Sequence, residues 1–141
     1  MSGKRAQIAP EAVLIAAVML FLLLAMYIVS AHMSQQWDVE KQRMEASSAA
    51  NALALEINSV AAGGNGTTAY YFNSAGPDVA SMTIYQGRSL RAGYKEGGFE
   101  SVALVTNRTK VGTNLLLNNA IPLNAYLWLN NSDDTVNIAG A

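Results

Sequence analysis

Hydrophobic and polar positions divide this 141-residue chain into stretches of different period. From Ala12 to Ala31, twenty consecutive residues carry no formal charge. At 1.5 Å per residue such a run spans about 30 Å, the thickness of a bilayer's hydrocarbon core. From His32 to Val60 the chain has neither proline nor glycine, and the pattern becomes one-sided. Ala46, Ala49, Ala50, Leu53, Ile57 and Val60 form one stripe at helical spacings, with Ser47, Ser48, Asn51 and Glu56 off it. Pro10 falls where a helix tolerates proline, in the first turn. Gly63-Gly64-Asn65-Gly66 stops the helix. The pattern therefore predicts one helix from Pro10 to Val60, roughly 75 Å long. Its first half is apolar all round and its second half is amphipathic.

Beyond the glycines the period shortens to two. β-branched and aromatic residues alternate with polar ones, and turn signals recur. Strands are predicted at Thr68–Phe72, Val79–Tyr85, Ser89–Tyr94, Ser101–Thr106, Thr113–Leu117, Ala125–Asn130 and Thr135–Ala139. Gln86-Gly87, Lys95-Glu96-Gly97-Gly98 and Asn131-Ser132-Asp133-Asp134 read as hairpin turns. Pro77 and Pro122 fall outside strand centres. Met82 and Ile84 share one face, as do Leu90, Ala92 and Tyr94. The expected fold class is α+β: a long N-terminal helix followed by a small antiparallel β-sheet or sandwich, packed on itself or on the helix's second half. In outline, residues 12–31 are expected to span a membrane and residues 61–141 to form a β-rich domain.

Composition narrows the function. Charged residues make up 13%, about half the usual share, and the net charge is −1. Nucleic-acid binding needs a concentrated positive field and is not expected. The chain has no cysteine, which removes disulfides, thiolate metal sites and thiol nucleophiles. Lys4 and Arg5 precede the apolar run, and the next basic side chain is Lys41. That asymmetry orients the N-terminus in the cytoplasm and the C-terminus outside, with Tyr27 and Trp37 near the outer interface. No catalytic constellation stands out, and no cofactor or metal is expected. His32, the only histidine, reads as an interfacial or packing residue. Asp133-Asp134 lacks the spaced oxygen ligands of a calcium loop. Gly63–Gly66 follows a helix instead of opening one, unlike a phosphate loop. Tyr70, Tyr71, Tyr85, Tyr94, Tyr126 and Trp128 are candidates for an adhesive surface, half of them expected in the core. Sequons at Asn65, Asn107 and Asn130 are candidate N-glycosylation sites, expected at turns or loop edges.

Three readings compete for the N-terminal segment. A plain membrane anchor needs only the apolar run. A secretory signal peptide draws on Val29-Ser30-Ala31, but the run exceeds the usual 7–15 apolar residues of such peptides. The third reading comes from a resemblance. Lys4-Arg5-Ala6, followed by Gln7, Glu11 and the apolar helix, resembles the class III signal peptide of archaeal type IV pilins. Pro10 beside Glu11 departs from that pattern, where many members have Ile or Ala. Archaellins share the secretion logic but match less well, because they usually lack the Gln…Glu pair.

The resemblance implies a leader of residues 1–6, cleavage between Ala6 and Gln7 by a membrane prepilin peptidase, and a mature helix over 7–60. It also implies an assembly ATPase, a platform protein and a homo-oligomeric helical filament on the cell surface, with adhesion as the expected role. Glu11 fits this physically. A carboxylate buried among apolar helices needs a partner, and cleavage would create one in the α-amine of Gln7. At about 4 Å and an effective dielectric of about 20, their attraction is about 4 kcal/mol. Gln7 and Glu11 are thus expected to set the register of assembly. The alternative is a single-pass anchor whose outer domain binds a partner and never polymerises.

Overall fold

The structure, a computed structural model, describes residues 3–105, 108–111 and 120–140, with side chains from Pro10 onward except that of Val111. The helix α1 runs from Gly3 to Ala62, beginning before the predicted start at Pro10, so that Pro10 lies inside the helix and not in its first turn. It continues without interruption through the change from apolar to amphipathic sequence, as the absence of glycine and proline requires. Gly63 N still donates to Ser59 O at 3.0 Å, and Gly64 (φ 80°) and Gly66 (φ 88°) then turn the chain away. Their positive φ suits glycine, which lacks the Cβ that makes this region costly.

Among the described residues eight strands follow: β1 (Thr68–Asn73), β2 (Val79–Tyr85), β3 (Ser89–Tyr94), β4 (Phe99–Ala103), β5 (Thr109–Val111), β6 (Ala120–Ile121), β7 (Ala125–Ser132) and β8 (Thr135–Gly140). They form two four-stranded sheets, ordered β1-β7-β8-β5 and β4-β3-β2-β6. The fold is α+β. All pairings are antiparallel except β5 with β8, which run parallel. β2 and β3 have the bounds read from the sequence. β4 begins two residues earlier than predicted and ends at Ala103. The predicted strand over 113–117 lies outside the described residues. β5 and β6, of three and two residues, are too short for alternation to mark.

The chain divides into two compact units, Met1–Asp38 and Val39–Ala141. The division falls inside α1 and not at its end, because the amphipathic half belongs to the β unit. Ala46, Ala50, Leu53, Ile57 and Val60 share one buried core with Met82, Ile84, Leu90 and Ala92 of one sheet and Leu127, Leu129, Val136 and Ile138 of the other. Three alanines at the start of the helical stripe let the backbones approach closely, and the larger Leu53 and Ile57 fill the centre. Tyr71 and Tyr94 pack partly buried against this core.

The hairpin turns follow residue chemistry. Gln86 (φ 53°) and Gly87 (φ 68°), both with positive φ, are the central residues of the turn that Arg88 N closes by donating to Tyr85 O at 3.1 Å, so that three residues join β2 to β3. The β7–β8 turn is narrower than predicted. Only Asp133 (φ 51°) and Asp134 (φ 56°) form it, while Asn131 and Ser132 remain in β7. Aspartate tolerates the left-handed region better than most residues, so the turn closes in two positions and the strand lengthens.

Candidate functional site

Within the first unit, the apolar stretch of α1 is uncovered by the chain. Its most hydrophobic 18-residue window has a mean hydropathy of 3.0, and none of that window is buried. Leu20, Phe21 and Met26 are each about 70% exposed. Their side chains form ridges with open grooves between them. Ala12, Ile15, Ala16, Met19, Leu20 and Leu23 line one groove of about 510 Å³. Another, of about 690 Å³, runs past Leu22, Ala25, Met26, Val29, Met33 and Trp37. Ridges and grooves of this kind accept lipid tails or the ridges of another helix.

Glu11 is exposed immediately before the apolar run. Lys4, Arg5, Ala6 and Gln7 occupy the first turns of α1, and their side chains lie outside the described ones. Gln7 and Glu11 stand four residues apart in the helix, about one turn. Gln36 Nε2 donates to His32 Nε2 at 3.2 Å, one helical turn along an exposed face. Among the described residues no group of three His, Cys, Asp or Glu side chains is placed to hold a metal.

Within the second unit, polar contacts fasten both ends of the amphipathic helix. At its start, Arg43 Nε donates to Glu100 Oε1 at 2.6 Å, and its Nη1 lies 3.9 Å from Glu40. The hydrogen bond to Glu100, then its charge and that of Glu40, raise the Arg43 pKa further above its ordinary value. Asp78 lies between Lys41 (3.9 Å) and Lys95 (3.2 Å). At the far end, the buried Asn131 donates from Nδ2 to Ala61 O (3.2 Å) and Val60 O (3.4 Å). It thereby satisfies carbonyls that a helix end leaves without intrahelical partners. Asn58 Oδ1 accepts from Val105 N at 2.9 Å.

The outer faces of the two sheets carry different chemistry. On the β4-β3-β2-β6 sheet, the Arg91 guanidinium sits 3.6 Å from the Tyr85 ring centre and 4.8 Å from that of Phe99. On the other sheet, cross-strand partners Tyr70 and Trp128, and Phe72 and Tyr126, project outward as a two-by-two block. The Phe72 and Tyr126 ring centres are 4.9 Å apart, tilted by 56°.

No family model, curated protein or solved structure matches the chain. Its site is therefore defined by its own geometry.

The sequons occupy distinct settings. Asn65 is exposed in the turn after α1, and its Oδ1 accepts from Asp133 N at 2.6 Å. Asn107 lies outside the described residues. Asn130 sits within β7, half-buried and paired with Thr68 and Asn137, and not at the loop edge expected from sequence. The reason is again the short Asp133-Asp134 turn. Sequence reading missed Phe72 as part of the aromatic block and Asn131 as the helix-end ligand. Alternation with Tyr70 was the available signal for Phe72. Nothing local signals a contact between Asn131 and residues seventy positions earlier.

Proposed function

We propose that this chain is a structural subunit of a type IV pilus-like surface filament, assembled through its hydrophobic N-terminal helix. The observation that carries the reading is the pairing within α1 of two unlike halves. The apolar half is suited to a membrane and is uncovered by the rest of the chain. The following half is fastened into a β unit at both ends. The second half is already packed in the β unit, and the uncovered first half is the surface that a bundle of copies would bury.

In this reading the precursor sits in the membrane with its N-terminus in the cytoplasm, and cleavage follows Ala6. The α-amine of Gln7 then pairs with Glu11 of the same or an adjacent subunit. The β units form the outer layer, where adhesion takes place and glycans at Asn65, Asn107 or Asn130 would lie. Burial of large apolar side chains is worth about 1.5–3 kcal/mol each against water. Against lipid the gain is far smaller, because lipid tails are as apolar as leucine. Extraction therefore needs an energy source, a role for an assembly ATPase acting with a platform protein.

Mass spectrometry of the native protein, with electron microscopy of the cell surface, tests the proposal. Loss of six residues and thin fibres containing this chain support it. Loss of about thirty-one residues marks a secretory signal peptide. An intact N-terminus on single copies in lipid marks the anchor and overturns the filament.

A further inference from the structure

The aromatic block on the outer face of the β1-β7-β8-β5 sheet lies outside the buried core. Tyr70 is 75% exposed, Tyr126 62%, Phe72 44% and Trp128 37%. They stand as direct cross-strand pairs. Three properties of this face define what fits it.

The first is charge. Every outward side chain on β1, β7 and β8 is uncharged at neutral pH. Formal charge begins at the Asp133-Asp134 turn and at Lys110 of β5, which pairs with Asn137 and ends the row at the edge of the face. One edge lysine is no concentrated positive field of the kind that an anionic surface or a nucleic acid needs.

The second is the order of the rows. Tyr70, Trp128 and Ala139 form one row across three strands, and Thr68, Asn130 and Asn137 form the next. Flat rings thus lie beside carboxamides and a hydroxyl, with the small Ala139 leaving a step next to the indole. A sugar ring is built the same way. Its C–H face packs on an aromatic ring, and its hydroxyls exchange hydrogen bonds with amides and hydroxyls.

The third is size. At these exposures and about 150–250 Å² per aromatic side chain, the block offers roughly 300–550 Å². A stable protein interface needs about 800 Å² from each partner. The block is too small to hold a second copy by itself and matches a short run of sugar rings.

We infer that this face binds a neutral glycan, with Trp128, Tyr70 and Tyr126 as stacking platforms and Asn130 and Asn137 as hydrogen-bonding partners. The inference rests on the β unit and does not depend on polymer assembly.

The test uses the full chain in detergent micelles, carrying Trp37→Phe so that Trp128 is the sole tryptophan. It is titrated with neutral hexamers of β-1,4-linked glucose, α-linked mannose and β-1,4-linked N-acetylglucosamine, followed by calorimetry and Trp128 emission. The expected result is saturable binding of at least one hexamer with a change in Trp128 emission. By the behaviour of central aromatic contacts, Tyr126→Ala and Tyr70→Ala should each weaken it about tenfold, and Arg91→Ala on the opposite sheet should change it by less than about twofold. Circular dichroism confirms that each variant is folded, and Trp128→Phe should retain part of the affinity. Absence of binding to all three hexamers up to about 10 mM, which corresponds to about 2.7 kcal/mol, overturns the inference. So does equal loss in Arg91→Ala. Protection of Trp128 from acrylamide by a neighbouring copy in native surface material would make the face a subunit contact and overturn it too.

Discussion

Asn131 shows how much one side chain can decide. It is 3% exposed, and its amide nitrogen serves two carbonyls at the end of α1. Asn131→Ala leaves those carbonyls without that donor, a loss expected to cost about 1–3 kcal/mol of β-unit stability in urea unfolding. Asn131→Asp should cost more at neutral pH. It replaces the donor with a carboxylate facing the negative end of the helix dipole. Tyr71 gives a prediction in pH. Burial, and secondarily the Glu56 carboxylate, push its phenol above the ordinary value. The folded chain therefore holds this proton more tightly than the unfolded chain. The stabilisation is complete below about pH 10, the ordinary tyrosine value, and is lost as pH rises through the folded value. Thermal midpoints of Tyr71→Phe should fall less steeply than those of the unsubstituted chain above that pH.

At the scale of elements, the amphipathic half of α1 is held mainly by apolar burial. Leu53 is fully buried and Leu55, two positions on, is 69% exposed. Leu53→Ala should cost about 2–5 kcal/mol, and Leu55→Ala, a surface change, should stay within about 0.5 kcal/mol. Chemical denaturation of the two variants checks the contrast. The Arg43–Glu100 pair is short at 2.6 Å, but the Arg43 side chain is 54% exposed. Screening by solvent keeps the contribution of such an exposed pair small. Arg43→Ala is therefore expected to lower stability less than Leu53→Ala in the same assay. A larger effect of Arg43→Ala would mean that ionic fastening, not the alanine-lined stripe, holds the helix to the sheets.

For the whole molecule, the proposed filament makes Glu11 a specifying residue more than a stabilising one. A buried charge is better attested as a determinant of register than as a source of net stability. Glu11→Ala should leave membrane insertion intact, because the apolar run is unchanged. It should sharply reduce the number of surface fibres counted by electron microscopy. Normal fibre numbers in that variant would remove the register role while leaving the filament itself standing. Exposed Glu11, the uncovered apolar half and the outward aromatic block all lie on surfaces that the isolated chain does not cover.

The local periods of the chain determined its elements. Spacings of three and four marked the helical stripe, and all six of its residues are buried. Alternation marked β2 and β3 at their observed bounds, because a strand's two faces repeat every two residues. The glycine run marked the end of α1, because only glycine enters positive φ without cost. Pairing was decided by tertiary structure. β1 meets β7 across some fifty residues, and β5 lies parallel to β8, contacts that no local period records. The adjacent pair Tyr70-Tyr71 makes the distinction plain. Alternation puts the two rings on opposite faces, but it cannot say which face the helix covers. That choice depends on where α1 docks, and docking sends Tyr71 against the core and leaves Tyr70 in solvent.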